Sequence, residues 1–175
     1  YLMTARKGMR MGHAQATDGM IHDGLWDPYK NYHMGNAGEV CAREFKFTRE
    51  AQDAYAKESF RRALSAQAEG RFADEITPVV IEGRKGAVTV SEDEGPKKGD
   101  PDKMSSLKPA FDKAGTITAA NASSINDGAS ALVLASADAV KRLGLTPLAR
   151  VAGYGGAAQA PEWFTTAPAK AIEGT

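Results

Sequence analysis

TITAANASSINDGASALVLA, residues 116–135, is the stretch of sequence that decides the predicted fold. At its two ends, residues 116–119 and 131–135 are small or apolar, and each run predicts a short buried strand. The residues between them are rich in Asn, Ser, Asp and Gly, which favour turns because they satisfy or expose backbone groups locally. The stretch is therefore predicted to be two strands joined by a polar connection.

The elements that follow extend this pattern. Residues 137–143 predict a short helix that ends at Gly144, and residues 148–154 predict a further strand. Strands and helices thus alternate along this part of the chain, which indicates an α/β fold.

The clearest helix signal lies upstream, in residues 48–68. Thr48 is a good N-cap, and Gly70 is a good stop. Charged residues occupy the other faces of this helix, while one stripe is apolar. The predicted stripe consists of Ala56, Phe60, Ala63 and Leu64.

Weaker signals surround this helix. Residues 1–47 show no sustained periodicity and predict a loop-rich segment that packs on something else. Residues 76–81 predict a strand with Pro78 near its start or at an edge, and residues 88–90 predict a second strand that pairs nearby. Residues 91–105 are charged and rich in Gly and Pro, which favours a solvated loop.

The composition is that of an ordinary globular surface. The chain has 175 residues, its 22 Lys and Arg balance 22 Asp and Glu, and 42% of its residues are hydrophobic. This balance does not favour nucleic acid as a partner. No apolar run approaches the roughly 20 residues of a spanning helix, and no signal peptide is visible. We expect no membrane partner and a cytoplasmic protein, or a mitochondrial one if the source is eukaryotic.

Two further features concern the ends and the cysteine content. The first residue is Tyr1, and residues 167–175 resemble a helix that stops early, so we expect a chain truncated at both ends. Cys41 is a single cysteine and cannot form an internal disulfide, so nothing suggests an oxidising compartment.

The connection between the two predicted strands is the first candidate for chemistry. A tight turn explains Asn126, Asp127 and Gly128. A tight turn explains residues 121–124 less well, because a simple turn does not need four such residues. Their small side chains would also let a ligand approach closely, so a structural turn and a ligand-binding loop both stay open.

The second candidate is the segment around His33. A histidine beside aromatic residues is more often a packing residue than a catalyst, and the spacing of the three histidines fits no metal site. We therefore predict no metal. Met34 could line an apolar ligand pocket. A hydrolase pair of Cys41 and His33 is disfavoured, since no oxyanion turn or orienting third group is recognisable. No Gly-rich nucleotide loop is present.

Six ordered blocks of sequence resemble the thiolase family and together span nearly the whole chain. In order they are MRMGH, MIHDGLWDPY, YHMG, FTREAQDAYAKESFRRA, GRFADEITPV and LKPAFDKAGTITAANASSINDGASA. Within this family the pattern is most similar to the biosynthetic acetyl-CoA acetyltransferase branch, because the HMG triplet is typical of short-chain enzymes.

The resemblance implies a fold and a domain organisation. Thiolases have two α/β halves, each with a five-stranded mixed sheet, and a loop domain inserted into the first half. By this resemblance, residues 1–124 are the loop domain, with coenzyme A binding and oligomer contacts. Residues 125–146 are the end of the N-terminal half, and residues 147–175 are the start of the C-terminal half.

The resemblance also implies an activity. Family members transfer an acetyl group between two coenzyme A thioesters to give acetoacetyl-CoA, and they catalyse the reverse thiolysis. One cysteine thiolate accepts the acetyl group, and a second cysteine abstracts a proton from another acetyl-CoA. The family's chemistry also uses a histidine. None of these three motifs is in this sequence, and Cys41 matches neither cysteine. We expect no catalytic residue here, no permanently bound cofactor, an acyl-CoA substrate, and a dimer or tetramer in the complete protein.

What the resemblance does assign to this sequence is a set of coenzyme-site residues. Ser123 matches a serine that hydrogen-bonds the pantetheine arm, and Ala119 and Ala122 match small residues that contact the coenzyme. Leu25 matches a leucine that lines the same groove. His33 matches a histidine that meets pantetheine through water, and Met34 a methionine that walls the acyl pocket.

One position departs from the family pattern. Pro96 stands where other members have an arginine near the adenine, so we do not expect adenine stacking there. Lys97 and Lys98 lie beside it and could contact a coenzyme phosphate. An alternative function for the whole chain is a non-catalytic acyl-CoA-binding or assembly module on the same scaffold.

Overall fold

The computed structural model describes residues 8, 9 and 11–175 of the chain, which divides into two compact units, Tyr1–Ser124 and Ile125–Thr175. Residues 1–7 and Arg10 belong to the stretch predicted to be loop-rich and lie outside the described residues.

The first unit begins with a small hairpin that leads into a helix. A short π-helix, Ile21–Leu25, is followed by strands β1, Trp26–Asp27, and β2, Tyr32–His33, which pair antiparallel. Helix α1 follows directly as Met34–Glu44. The prediction of a segment without sustained helix is therefore wrong for these 11 residues.

Glycines explain why α1 has a weak helix signal in the sequence. Gly35 and Gly38 lie within it, and glycine costs about 1 kcal/mol against alanine in a helix interior. The structure needs them because neighbours come very close. A Cβ on Gly35 would lie 2.4 Å from the Phe111 ring, and one on Gly38 would lie 2.7 Å from Ile117. At these two positions glycine lowers the helix propensity but allows α1 to pack closely on Phe111 and Ile117.

Helix α2, Arg49–Ala68, confirms the clearest prediction from the sequence. The Thr48 hydroxyl oxygen accepts a hydrogen bond from the Ala51 backbone N–H at 3.2 Å, as an N-cap does. Gly70, just after the helix, has a φ of 68°, in the left-handed region that glycine adopts easily. The predicted apolar stripe is correct at Ala56, which is buried, but wrong at Leu64, which is exposed.

Two short strands follow α2. Strands β3, Val79–Ile81, and β4, Val88–Val90, form an antiparallel pair. This confirms the predicted strand at residues 88–90 and the pairing, whereas the strand predicted at residues 76–81 begins only at Val79. Pro78 immediately precedes β3, where its missing N–H leaves no ladder bond unmade.

The segment predicted to be a solvated loop is partly anchored. It contains helix α3, Gly95–Lys98, and a 3-10 helix, Met104–Ser106. Met104 is completely buried, so the prediction of a solvated loop is wrong at that residue. One buried apolar side chain therefore anchors a segment that is otherwise charged. The many charged residues around Met104 made this burial unrecognisable in the sequence.

The predicted strand at residues 116–119 is wrong, because this backbone bonds to side chains and not to a neighbouring strand. Thr116 and Ile117 donate their N–H groups to the Glu39 carboxylate, and Thr118 donates to Asn121. The prediction of burial is correct at Thr118, which has no exposed surface.

In the second unit, the predicted helix is correct. Helix α4, Ala137–Leu143, matches the predicted bounds; the Ser136 hydroxyl caps it by accepting from Ala139 N–H, and Gly144 ends it with a φ of 63°. A 3-10 helix, Pro161–Thr166, leads into helix α5, Ala167–Glu173.

The two predicted strands of this unit are both wrong. Residues 131–135 and 148–154 form no strand, and their apolar side chains are exposed: Val133 is 94% exposed and Tyr154 92%. A strand needs a neighbour that completes its hydrogen-bond ladder. Within residues 11–175 the only sheets are the two antiparallel pairs of the first unit, so these segments have no ladder partner.

Among the residues described, no helix combines the length and the apolar character that crossing a membrane requires.

Candidate functional site

Three of the predicted site residues meet where the first hairpin joins α1. His33 pairs with Trp26 across the hairpin, and Leu25 directly precedes Trp26. Met34 is the first residue of α1. Leu25, His33 and Met34 are all half-buried. The pairing of two short strands therefore places Leu25 close to His33.

His33 has a defined orientation. Its Nδ1 accepts a hydrogen bond from the Gly35 backbone N–H at 3.0 Å and thereby caps α1. Its ring stacks on Phe111, with centroids 4.8 Å apart and planes 23° apart. Since Nδ1 is an acceptor, the proton of the neutral ring is on Nε2, an assignment from hydrogen-bond geometry. His33 therefore presents Nε2–H as a donor.

Phe111 belongs to a segment that runs along α1. Besides stacking on His33, it accepts a hydrogen bond at its carbonyl from the Asn36 amide at 3.2 Å. The same segment is closed by a hydrogen bond of 2.8 Å from the Ala110 N–H to the Ile117 carbonyl. The residues before the predicted coenzyme loop are thus held against the N-terminal half of α1.

Glu39 fixes this segment more firmly. Its side chain, 1% exposed, accepts four hydrogen bonds. The Thr116 N–H donates to both carboxylate oxygens at 2.9 and 3.0 Å, and the Ile117 N–H donates at 2.8 Å. The Thr116 hydroxyl donates at 3.2 Å. Buried charge is tolerated here because several donors replace the lost water.

A second polar cluster ties the next residues to α2. The Asn121 amide donates to Asp53 Oδ1 at 2.9 Å and to the Thr116 carbonyl at 3.1 Å. It accepts from the Thr118 N–H at 2.7 Å. Asp53, which is buried, pairs with Arg49 through a 2.8 Å bond to Nε. Arg49 also donates to the Met104 carbonyl at 2.7 Å.

The remaining site residues lie on the loop that this cluster holds. Ala122 is half-buried, and Ala119 and Ser123 are exposed. The Ala122 N–H donates to the Thr118 carbonyl at 3.0 Å. Within the part of the chain that the structure describes, the Ser123 hydroxyl makes no hydrogen bond. This hydroxyl is therefore free to meet a ligand.

Lys97 and Lys98 lie in α3, which packs against a more C-terminal part of α2 than the Asp53 cluster does. The α3 segment contacts α2 through Phe60, which touches Gly99, and through Gln67, which donates to the Asp93 carbonyl at 3.0 Å. Asp53 and Phe60 are seven residues apart, which is about 10 Å along the helix. The lysines are thus separated from the loop that bears Ser123.

Both lysines have acidic partners. Lys97 pairs with Glu92, and Lys98 pairs with Glu94 at 2.6 Å. The Lys98 hydrogen bond lowers the pKa of the Glu94 carboxyl. A coenzyme phosphate would have to compete with these carboxylates.

Cys41 lies on α1 and is half-buried. Eight residues separate it from His33, about 12 Å along the helix axis, so the two cannot form a hydrolase pair. Among residues 8, 9 and 11–175, no three side chains of metal-binding type come together.

Sequence reasoning did not single out Glu39, Asp53 or Phe111. One signal was available for Asp53: it stands three residues before Ala56 and so interrupts the apolar stripe of α2 with a charge. Glu39 has no comparable signal, because its donors are backbone groups 77 residues away.

Known proteins similar to this chain identify the family. A family model described as thiolase, N-terminal domain, matches residues 1–138. Acetyl-CoA acetyltransferase 2 of Arabidopsis thaliana is 53% identical over 98% of this chain. Acetyl-CoA acetyltransferase of Cupriavidus necator is 52% identical over 95% of it. The chain belongs to the thiolase family.

Solved structures show the same relationship. A crystal structure of a thiolase from Ascaris suum in complex with coenzyme A covers 98% of this chain with a TM-score of 0.85 and 42% identity. The acetyl-CoA acetyltransferase of Bacillus anthracis gives a TM-score of 0.85 at 40% identity. The chain therefore has a thiolase-like α/β fold. It spans 43% of the Arabidopsis relative and 44% of the Ascaris chain.

Proposed function

We propose that the whole protein is an acetyl-CoA C-acetyltransferase and that this chain supplies its coenzyme and acyl-pocket residues. In this reaction two acetyl-CoA molecules give acetoacetyl-CoA and free coenzyme A, and thiolysis is the reverse. The named relatives, about half identical over nearly all of this chain, support it. Coenzyme A is then a substrate and no cofactor is permanently bound.

The observation that carries the proposal is the state of Ser123. Its loop is held by buried side-chain hydrogen bonds, while its own hydroxyl is exposed and makes no bond within the described residues. A hydroxyl in a pre-positioned loop loses little conformational freedom when it binds a ligand. We assign it the role of holding the pantetheine arm, with Ala119 and Ala122 allowing close approach.

The hairpin residues complete the proposed site. His33 donates from Nε2, and a water between this nitrogen and a pantetheine carbonyl is about as favourable enthalpically as a direct hydrogen bond. Leu25, next to it, lines the groove. Met34 walls the acyl pocket and favours a short acyl chain, since a filled pocket rejects added carbon atoms.

The covalent chemistry is assigned to residues other than these. A thiolate that accepts an acetyl group must be able to form a thioester, and Cys41 is half-buried, with no histidine beside it along α1. In this proposal the present residues bind and orient the coenzyme. Lys97 and Lys98 make at most a secondary phosphate contact, because both already pair with carboxylates.

We also propose the domain organisation implied by the resemblance. Residues 1–124 form the coenzyme-binding loop domain, residues 125–146 complete the N-terminal half with its five-stranded sheet, and residues 147–175 begin the C-terminal half. The exposure of Leu132, Val133 and Leu134, each above 80%, supports this, because such a run suits a covered position. Dimer or tetramer formation and a cytoplasmic location stay predictions.

The proposal is tested by Ser123→Ala in the whole protein. Loss of one neutral hydrogen bond, worth about 0.5 to 1.5 kcal/mol, should weaken coenzyme A binding roughly two- to tenfold. The melting temperature should change little, because the hydroxyl makes no hydrogen bond to any of the residues that the structure describes. Calorimetric titration with coenzyme A and thermal denaturation give the two quantities, and acetoacetyl-CoA thiolysis separates an enzyme from a non-catalytic binding module.

A matched control is Ser136→Ala. Ser136 caps α4, so its loss should cost about 1 kcal/mol of stability and leave coenzyme affinity unchanged. If Ser123→Ala instead lowers the melting temperature and leaves affinity unchanged, Ser123 is a structural residue and the site assignment is wrong.

A further inference from the structure

We propose that Asn121 is a positioning residue for the coenzyme site, and that Asp53 sets the orientation of its amide. This inference rests on the proposed function, because it concerns how Ser123 is presented to pantetheine. It adds two residues that do not touch the coenzyme themselves but determine where the loop at residues 119–123 lies.

The Asn121 side chain closes the loop across its own base. It accepts from the Thr118 N–H at 2.7 Å and donates to the Thr116 carbonyl at 3.1 Å. These two backbone groups would face a neighbouring strand if residues 116–119 formed one. Here one amide satisfies both, and the chain turns sharply: the Ala122 N–H bonds back to the Thr118 carbonyl at 3.0 Å.

Asp53 decides which way the Asn121 amide faces. The Asp53 carboxylate, paired with Arg49, only accepts hydrogen bonds, so it must meet the amide NH₂ at 2.9 Å. The amide oxygen is then left for the Thr118 N–H. A flipped amide would place its oxygen against the carboxylate and its NH₂ against an N–H donor. The hydrogen bond to Asp53 therefore fixes which side of the Asn121 amide faces the loop backbone.

The anchor continues away from the loop. Arg49 donates to Asp53 at 2.8 Å and also to the carbonyls of Met104 and Leu107, at 2.7 and 3.1 Å. Asp53 is 5% exposed and Thr118 has no exposed surface. A buried network of this kind is well suited to hold one geometry, because each member would be left unpaired by a shift of another.

The link to function is the short separation along the chain. Asn121 stands two residues before Ser123, whereas the Ser123 hydroxyl has no bond of its own within the described residues. The position of that hydroxyl therefore depends on the Asn121 amide and not on the serine. Loss of the amide should displace Ser123 and remove its benefit to coenzyme binding.

A double-mutant cycle in the whole protein tests this dependence. Asn121→Ala should weaken coenzyme A binding about five- to twentyfold, and Ser123→Ala about two- to tenfold. If Asn121 acts through Ser123, the double variant should bind within about twofold of Asn121→Ala alone, because coupled residues are not additive. Coenzyme A affinity is measured on folded protein, below the melting temperature of each variant.

Gln52→Ala is the matched structural control. Gln52 also lies on α2 and donates to the Thr116 hydroxyl at 2.8 Å, but it is not among the hydrogen-bond partners of the Asn121 amide. It should lower the melting temperature and leave coenzyme affinity unchanged. Equal weakening by Gln52→Ala would show that any loosening of α2 suffices and would overturn the positioning role.

The remaining outcomes separate this inference from the proposed function. Effects of Asn121→Ala and Ser123→Ala that multiply in the double variant leave Ser123 in the site and overturn only the role of Asn121. A Ser123→Ala variant that binds like the parent removes the site and the positioning role together. If Asn121→Ala does not fold, Asp53→Asn takes its place in the same cycle, with the same expected loss of the serine effect.

Discussion

The segment around residues 104–123 and the segment around residues 125–154 solve the problem of irregular backbone in different ways. In the first, side chains replace a strand partner: the buried Glu39 and the half-buried Asn121 bond to the backbone of residues 116–118. In the second, outside helix α4, residues 131–135 and 148–154 form no strand and their apolar side chains are exposed, with Val133 at 94%. Similar small and apolar sequence thus gives a fixed loop in one place and an uncovered run in the other.

The difference shows what positions the proposed site. In its proposed role, Ser123 needs an accurate location but no burial. Its loop is held by Glu39 on α1, by Asp53 on α2 and by the Asn121 amide within the loop. The predictions below test whether the first segment depends on those groups and whether the second depends on being covered.

The largest effect is expected from Glu39→Ala. The change leaves the N–H groups of the half-buried residues Thr116 and Ile117 without their acceptor, at about 1 to 3 kcal/mol each. We expect a loss of roughly 3 to 5 kcal/mol in the free energy of unfolding, measured by urea denaturation. Exposed Glu44→Ala on the same helix is the control and should change stability by less than about 0.5 kcal/mol. A small loss for Glu39→Ala would mean that water replaces the carboxylate.

Val133→Asp tests the uncovered run in the whole protein. If other parts of the thiolase cover this run, a buried unpaired carboxylate should cost about 2 to 4 kcal/mol in the free energy of unfolding. Tyr55→Asp, at an exposed residue of α2, is the comparison and should cost less than about 1 kcal/mol. Equal and small losses for both variants would show that Val133 remains in solvent, which contradicts the proposed core assignment.

Gly35→Ala tests the close packing of α1 on the first segment. The new methyl group would lie 2.4 Å from Phe111, so the ring that stacks on His33 must move. Overpacking should cost roughly 1 to 3 kcal/mol even after the gain in helix propensity. The same change at Gly128, where an added Cβ meets nothing within 4 Å, should be nearly neutral. Thermal denaturation of both variants measures the difference. Equal melting temperatures for Gly35→Ala and Gly128→Ala would mean that the Phe111 ring can move aside without cost.

The smallest effect concerns Glu58, a surface residue of α2, the helix that also carries the buried Asp53. Hydrogen bonds from Arg61 and then Arg62 lower the pKa of Glu58 from 4.5 to about 2. A lowered pKa in the folded state means that the stabilisation is present above the unfolded value and is lost as the pH falls through about 2. Because the pair is exposed, salt should weaken it.

Carbon-detected NMR titration of the Glu58 carboxyl gives this pKa directly. Arg61→Ala should raise it towards the usual value, since the Arg61 hydrogen bond is the largest cause of the shift. A Glu58 carboxyl that titrates near 4.5 in the parent protein would show that the ion pair does not persist in solution.

The sequence by itself determined the elements whose causes are local. Helices α2 and α4 follow from an N-cap serine or threonine, a stop glycine and the residues between them. The pairing of β3 with β4 follows from two short β-branched runs separated by a turn. The ordered thiolase motifs also identified the family and, through it, the residues of the proposed coenzyme site.

Only the tertiary structure decided the features whose causes lie far apart in the chain. The glycines of α1 weaken its helix signal in the sequence. Only the fold shows why they are there, because Phe111 and Ile117 occupy the space that larger side chains would need. Residues 116–119 have the composition of a strand, yet their backbone donors are taken by Glu39 and Asn121. A backbone N–H group can bond to any acceptor that lies beside it in the folded chain. Whether a strand-like run becomes a strand therefore depends on what the fold places next to it.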